Sequence, residues 1–386
     1  MSELHVNVFT MTYTADVSGV CSTMYELGGM TVLHDPSGCN STYTTHDEPR
    51  WYNTKSLMYI SGLDEMTAIM GDDSVLVRDV KKAAEDLSPR FITLCGSAIP
   101  HLIAFDYKGT AHLIEKATGI PVIPVATDGL KLYTSGIGLA LREWMKRFAD
   151  FSLPHEKDTV NLLGVTPIDF SRMEIVEEMK KALEERGFTV NCCAAMGDSF
   201  EKLQEICKAS VNLVVSSAGM QPAKMLSAKA GIPFVVGTPI GAAFTDQVAQ
   251  CLREAQADGK SRYAYDASHF QEKEEGEVLV VGEECASCSL AQAVDGALGR
   301  KAAFVLSPDV RDGLDEDALV EKMKKADIVI GDPLLRYGIR DPHTKFIALP
   351  HEGYSGRIYR KQIPVFTGDA FDVVTFLEGG RPGGSA

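Results

Sequence analysis

The chain has 386 residues, more than one ordinary core accommodates, so its length predicts two or three domains of roughly 100 to 200 residues each. The formal net charge of −15 argues against a sequence-independent phosphate-binding surface, and we expect no nucleic-acid partner. No segment reaches the roughly 18 consecutive apolar residues that a membrane span needs, and no secretory signal is visible. The nine cysteines, an odd count, therefore favour reduced thiols in the cytoplasm over a disulfide framework.

The predicted elements begin with the stretch 20–39. Cys21 stands there at the start of a helix-like run, and a two-glycine break, a short apolar strand and a proline–glycine turn lead to Cys39. Farther on, short apolar β-branched runs alternate with helical patterns such as the one over 173–187. The runs that predict strands are 91–96, 121–126, 159–165, 188–194, 211–217, 232–241, 277–285, 302–308, 326–333 and 345–350.

Strands that alternate with helices imply parallel sheets covered by helices on both faces. Two polar stretches, 150–159 and 258–277, interrupt the pattern. We therefore predict an α/β fold of three Rossmann-like domains with parallel sheets flanked by helices, over residues 1–155, 156–257 and 275–386. Ligands of such sheets bind beside the carboxyl ends of the strands, where the loops meet.

Cys21, Cys39 and Cys95 all fall at the ends of predicted elements. They occupy the first turn of a helix, a turn after a strand and the end of the strand 91–96. Their sulfurs could converge there, since thiolates suit soft iron–sulfur sites and a helix N-terminus stabilises an anionic sulfur. Alternatively, the three thiols pack as small apolar side chains, as free cysteines commonly do. The spacing alone leaves both interpretations open.

Longer motifs surround these cysteines. HDPSGC (34–39), SGLDEMTAIMGDD (61–73) and CGSAIPHLIAFD (95–106) resemble successive motifs of the nitrogenase component 1 superfamily of oxidoreductases. The resemblance continues through IPVIPVATDGLKLYTSGIGLA (120–140) and the second domain to ALPHEGYSGRIY (348–359). It covers most of the chain and implies the same three-domain Rossmann-like fold.

The resemblance also implies a cofactor. Relatives bind an iron–sulfur cluster near a subunit interface through three cysteines, which match Cys21, Cys39 and Cys95. The cluster would be [4Fe-4S] or a larger one shared with a second subunit. Three thiolates leave a [4Fe-4S] cube one ligand short. A partner residue, a carboxylate such as Asp35 or a homodimer with a six-thiolate site could complete it. Asp35 replaces the family's usual glycine and alters the turn that carries Cys39.

Nitrogenases proper also hold an iron–molybdenum cofactor through a cysteine in the second domain and a histidine before the C-terminal glycine turn. The cysteine position falls here at Val215 or Ser216, and neither residue supplies a thiolate. His343 lies about one residue off the histidine register, and His351 lies within the turn itself. We therefore expect no iron–molybdenum cofactor and no dinitrogen reduction. Tetrapyrrole reduction or cyclisation and reductive cleavage of small sulfur compounds are the nearest known chemistries.

Several other residues are candidates for chemistry. Cys285 and Cys288 form a CxxC motif, and at a helix N-terminus such a motif lowers a thiol pKa and suits disulfide exchange or metal binding. Ordinary packing of small residues on a helix is the alternative interpretation. Arg357 and Arg360 could meet an anionic substrate or simply form a solvated cationic edge. Possible proton donors, each with a structural role as the alternative, are His34, His101, Asp128, Tyr133 and His343.

No phosphate-binding loop is present, so we do not expect this chain to bind ATP itself. The resemblance implies two partners: a separate ATP-dependent iron–sulfur reductase and a second component 1-like subunit, identical or homologous. The sequence thus predicts an electron-transfer oxidoreductase that passes low-potential electrons to a ligand in the interdomain cleft. Two alternatives are an assembly scaffold or carrier for a metallocofactor and a solute-binding module with inert, packed cysteines.

Overall fold

The computed structural model describes residues 14–36, 48–271, 276–307, 316–339 and 341–379. Its strands form three parallel sheets, and helices lie between most of the successive strands. Within the described ranges, every helix is too short or too polar to cross a membrane.

The first sheet has the strand order β2-β1-β3-β4, with all pairs parallel. Its strands are β1 (Met30–His34), β2 (Leu57–Ile60), β3 (Ile92–Gly96) and β4 (Val122–Pro124). The helices of this part are α1 (Asp16–Met24), α2 (Glu65–Met70), α3 (Ser74–Leu87), α4 (Ala98–Leu102), α5 (Tyr107–Thr118) and α6 (Tyr133–Phe148). β1 and β3 are buried along their whole length, as expected for central strands with helices on both faces.

The second sheet has the strand order β6-β5-β7-β8-β9. Its strands are β5 (Glu156–Leu163), β6 (Thr189–Cys193), β7 (Ala209–Val214), β8 (Phe234–Val236) and β9 (Arg262–Tyr263). Its helices are α7 (Pro167–Phe170), α8 (Met173–Glu184), α9 (Phe200–Gln204), α10 (Met220–Ala230), α11 (Ala242–Asp258) and α12 (Ser268–Gln271). Short 3₁₀ turns lie at Ile206–Lys208 and Ser217–Gly219.

The third sheet has the strand order β11-β10-β12-β13. Its strands are β10 (Val278–Val281), β11 (Ala303–Leu306), β12 (Ile328–Gly331) and β13 (Lys345–Ala348). Its helices are α13 (Glu284–Leu298), α14 (Glu316–Met323), α15 (Glu352–Ser355) and α16 (Val373–Glu378). Further 3₁₀ turns lie at Pro333–Gly338, Gly356–Ile358 and Arg360–Gln362.

The predicted α/β fold with three helix-flanked parallel sheets is confirmed. The sequence pattern did not predict β2 or β9. β2 is a half-exposed edge strand and β9 has two residues, so neither shows a buried apolar run. The strands of the three sheets lie within 30–124, 156–263 and 278–348, whereas the exact domain boundaries stay a prediction.

The three sheets share one continuous buried core. A single apolar cluster includes Val17 of α1, Leu163 of β5 and Val280 of β10. Within this core, α1 and α6 pack backbone against backbone, because Gly19 lies against the carbonyl oxygen of Tyr133 and Gly136 lies against that of Asp16. The close contact holds α1, which carries Cys21, directly against α6.

Candidate functional site

Two of the three cysteines singled out by the sequence meet in the structure. Cys21 lies on α1 and Cys95 on β3, and both side chains are buried. A hydrogen bond with the Cys95 thiol raises the pKa of Cys21 well above its usual range, and burial adds to the effect. A thiolate at Cys21 would therefore need a cation nearby to compensate its buried charge. The pair therefore suits a soft metal group.

The predicted location of Cys21 at a helix start is wrong. α1 already begins at Asp16, so Cys21 lies in the helix interior. The first turn is tied to a distant loop through Asp16, whose carboxylate accepts hydrogen bonds from the backbone N–H groups of Asp128 and Gly129, at 3.0 and 2.9 Å. The expected stabilisation of a Cys21 thiolate by the helix N-terminus is therefore absent.

Cys39 lies outside the described residues. The strand register pairs His34, the last residue of β1, with Gly96, so the chain leaves β1 beside Cys95 on its way to Cys39. Over the described ranges alone, no three histidine, cysteine or carboxylate side chains form a group able to hold a metal. The two thiols present fit a thiolate-bound group by their chemistry, and the complete three-cysteine site stays a prediction.

A cavity of about 390 Å³, including its mouth, lies beside Cys21. Ile168 and Glu352 form part of its wall. Their chain neighbours Asp169 and His351 line a second cavity between the parts of the chain that carry the second and third sheets. The short helices α7 and α15 thus separate the thiol pair from the second cavity.

Tyr133, Asp169 and His351 form a junction of three distant segments. Each segment follows a strand of a different sheet, namely β4, β5 and β13. The Tyr133 hydroxyl donates a 2.5 Å hydrogen bond to Oδ1 of Asp169, and Nε2 of His351 lies 3.2 Å from the same oxygen. The backbone N–H of Gly353 donates to Nδ1 of His351 at 3.0 Å. Because Nδ1 accepts, the proton of a neutral ring is on Nε2 and points at Asp169.

Glu283 makes the second cavity more acidic. It follows β10, and its two carboxylate oxygens accept hydrogen bonds from the backbone N–H groups of Ser217 and Ala286, each at 2.8 Å. Burial, together with the negative charge of Asp169, raises the pKa of Glu283 to about 7. The two carboxyl groups thus form an acidic corner of a cavity whose other walls are mostly apolar.

A buried arginine ties α1 to the second sheet. Arg50 donates to both carboxylate oxygens of Glu48, to the carboxylate of Glu26 at 2.9 Å and to the carbonyl oxygen of Ser22 at 2.7 Å. It also donates to the carbonyl oxygen of Ala195 at 3.1 Å. Because Ser22 follows Cys21, the guanidinium group fixes the helix turn that carries this thiol.

The sheets and their connections allow comparison with known proteins. A sequence model of nitrogenase component 1 type oxidoreductases matches residues 27–337. The chain belongs to this family. In agreement, a solved structure of nitrogenase Cp1 at pH 6.5 superimposes with a TM-score of 0.67, covering 98% of this chain and 93% of that one at 14% identity. At that identity the superposition shows the fold alone.

Named relatives of the nitrogenase component 1 family align over part of their length. One subunit of the light-independent protochlorophyllide reductase of Prosthecochloris aestuarii is 27% identical over 230 residues, which are 58% of this chain and 42% of that protein. The nitrogenase molybdenum-iron protein alpha chain of Methanosarcina barkeri is 21% identical over 277 residues, 65% of this chain and 51% of that protein. The chain thus spans about half the length of these relatives.

Cys285 and Cys288 lie at the start of α13, as the sequence predicts. Their predicted low pKa is wrong, because burial raises the pKa of both thiols. The Cys285 sulfur lies 3.4 Å from the carbonyl oxygen of Val214 and 3.6 Å from the hydroxyl of Thr238. The motif is therefore part of the packing between α13 and the second sheet.

Of the five possible proton donors, Tyr133 alone lies at the buried junction of this component 1 protein. His101 and His343 are exposed. Nδ1 of His34 lies 2.9 Å from the hydroxyl oxygen of Ser61. Asp128 pairs with Lys131 at 2.7 Å, which contributes to a lowered Asp128 pKa of about 2.

The structure also shows the contacts or exposure of the two arginines and of the two residues at the position of the cofactor cysteine. Arg360 pairs with Glu352, with one contact of 3.0 Å, and Arg357 is exposed. Val215 and Ser216 are buried after β7, and the Ser216 hydroxyl accepts from the backbone N–H of Ala218. Arg360 therefore already has a carboxylate partner.

Sequence reasoning missed Asp169, Glu283 and Arg50. Asp169 and Glu283 each follow the carboxyl end of a strand, β5 and β10, and this position is a signal that could have found them. Arg50 has no comparable signal, because apart from its near neighbour Glu48 its partners are distant in the sequence, among them Ser22 and Ala195.

Proposed function

We propose that this component 1 family member is an iron–sulfur electron-transfer oxidoreductase whose cluster is held by Cys21, Cys39 and Cys95. The observation that carries the proposal is the contact between the buried thiols of Cys21 and Cys95. A [4Fe-4S] cluster, or a larger one shared with a second subunit, would supply low-potential electrons one at a time. An iron–molybdenum cofactor is not part of the proposal.

The electrons would pass to a ligand in the cavity beside Asp169 and His351. The short helices α7 and α15 contribute wall residues both to the cavity next to Cys21 and to this second cavity. Apolar side chains form most of the wall of the second cavity, while Tyr133 and His351 place donor protons beside Asp169 at its edge. This arrangement would let one site combine electron supply with proton supply.

An ATP-dependent iron–sulfur reductase is the proposed electron donor, and a second copy of the chain is the proposed subunit partner. Support for a subunit partner comes from α2, none of whose residues is buried. Met66, Ile69 and Met70 of α2 are 67–73% exposed, and Leu102 of α4 is 75% exposed. Both helices follow the carboxyl ends of strands in the sheet that carries Cys95.

The first experiment measures iron and acid-labile sulfide per chain, with EPR after dithionite reduction, on protein purified without oxygen. Cys39→Ser is the test variant, and Cys251→Ser, which alters a cysteine of α11, is the matched control. About four irons per chain or per dimer, lost in Cys39→Ser and kept in Cys251→Ser, would support the proposal. Iron-free protein after attempted reconstitution would disprove it.

A metallocofactor scaffold of the same fold is the alternative. Its main support in the sequence was the CxxC motif, and the burial of Cys285 and Cys288 removes that support. The two functions separate in an assay with a matched reductase and ATP. Repeated substrate turnover per chain excludes a scaffold, whereas a cluster that the reductase cannot reduce excludes the oxidoreductase.

A further inference from the structure

Oδ2 of Asp169 is a buried oxygen atom without a hydrogen-bonding partner among the residues that the structure describes. The side chain is only 4% exposed. Its other oxygen, Oδ1, lies near two donors, the Tyr133 hydroxyl and Nε2 of His351. Buried polar atoms are almost always paired, so an unpaired carboxylate oxygen that lines a cavity calls for a donor beyond the described residues, such as water or a ligand.

The hydrogen bonds around Asp169 suit a carboxylate. Because Nδ1 of His351 accepts from Gly353, the neutral histidine ring can only donate toward Asp169. The Tyr133 hydroxyl also donates to Oδ1. Tyr133 and His351 thus both donate toward Oδ1. Oδ2 of the carboxylate is left as a hydrogen-bond acceptor.

Asp169 lines a cavity of about 620 Å³, a figure that includes its open mouth. Aromatic and aliphatic side chains form most of the wall, among them Phe170, Leu290 and Phe366, and the residues described as lining it include no lysine or arginine. Glu283 is the second acid in the wall, but backbone N–H groups already occupy both of its oxygens. The carboxylate oxygen of this acidic corner that has no hydrogen-bond donor among the described residues is therefore Oδ2 of Asp169.

We propose that this cavity takes a ligand with an apolar body that presents an N–H donor, best on a positively charged nitrogen, to Oδ2 of Asp169. The inference rests on the proposed function, since it specifies the ligand class of the same cavity. An apolar wall favours the ligand body by burial. The two carboxyl groups disfavour an anionic group at this end, because the described wall residues include no lysine or arginine to compensate its charge.

Small rigid probes test this ligand class on the full-length protein purified without oxygen. Benzamidine is an apolar ring with a cationic N–H donor, and benzoate is an anion of nearly the same shape. Isothermal titration calorimetry should detect benzamidine binding and no benzoate binding to the unaltered protein. This comparison needs no variant, so it remains decisive even if a substitution in the junction impairs folding.

Asp169→Asn should weaken benzamidine binding about tenfold or more, because the charge-assisted hydrogen bond is lost. Asp246→Asn is the matched control, since Asp246 is an exposed carboxylate paired with Arg186, and it should leave binding unchanged. Equal binding of benzoate, undiminished binding to Asp169→Asn, or no benzamidine binding at all would each overturn the inference. Iron analysis of the same samples keeps the two proposals apart, because the cluster and the probe are measured independently.

Discussion

Gly19 of α1 lies so close to the carbonyl oxygen of Tyr133 in α6 that a Cβ atom at Gly19 would overlap this oxygen. The contact joins α1, which carries Cys21, to α6. The first residue of α6 is Tyr133, and its side chain donates a hydrogen bond to Asp169. Gly136 makes the reciprocal contact with the carbonyl oxygen of Asp16. The two proposed centres are thus linked by a helix pair that admits no side chain at its closest point.

Gly19→Ala should therefore destabilise the protein. The added methyl group would push α1 away from α6, at a cost of about 1–3 kcal/mol for overpacking. The measurement is the midpoint of urea unfolding followed by circular dichroism. Gly296→Ala is the control, because Gly296 lies in the exposed part of α13 with open space around its Cβ position. There, alanine should stabilise by up to about 1 kcal/mol. Equal midpoints for the two variants would contradict the close packing.

Arg50→Gln should be far more destabilising than an ordinary loss of a surface charge. It would leave the carboxylates of Glu48 and Glu26 without their cation, and breaking a buried ion pair from one side costs about 3–5 kcal/mol. Arg78→Gln is the matched control, because Arg78 is an exposed residue paired with Asp79 and should change stability by less than about 1 kcal/mol. A similar urea midpoint for both variants would show that the Arg50 network contributes little.

The sequence predicts the parts of this molecule that depend on local pattern. Cys95 lies in a strand as predicted because a central parallel strand reads as a continuous apolar run. The contacts that hold the start of α1 could not be predicted, since they join Asp16 to the distant residues 128 and 129. The Tyr133–Asp169–His351 junction combines three segments far apart in the chain, and no local spacing brings them together.

The titration of Asp16 should lower the free energy of unfolding as the pH rises from about 4 to about 6. Burial raises the pKa of this carboxyl group from 3.8 to about 6, with a further contribution from the charge of Asp128. The folded state therefore holds a proton that the unfolded chain releases. The stabilisation is complete below pH 3.8 and is lost as the pH passes through 6.

Asp16→Asn removes this titration, and its urea midpoint should depend less on pH over the same interval. Between pH 4 and pH 6, the free energy of unfolding of the unaltered protein should drop relative to that of the variant by about 2 kcal/mol. The check is a series of urea titrations at fixed ionic strength. Parallel pH profiles for the two proteins would mean that Asp16 is ionised in the folded protein throughout.

Ile69→Asp should dissociate the proposed dimer of this chain. α2 exposes Met66, Ile69 and Met70 while burying none of its residues, so a charge in its centre would oppose burial against a second copy. Sedimentation velocity should give a dimer for the unaltered protein and a monomer for the variant. The control is Val374→Asp on α16, where an apolar side chain is 51% exposed in the part of the chain that carries the third sheet. That variant should stay dimeric. A monomeric unaltered protein, or equal dissociation of both variants, would show that a different surface or a different partner completes the assembly.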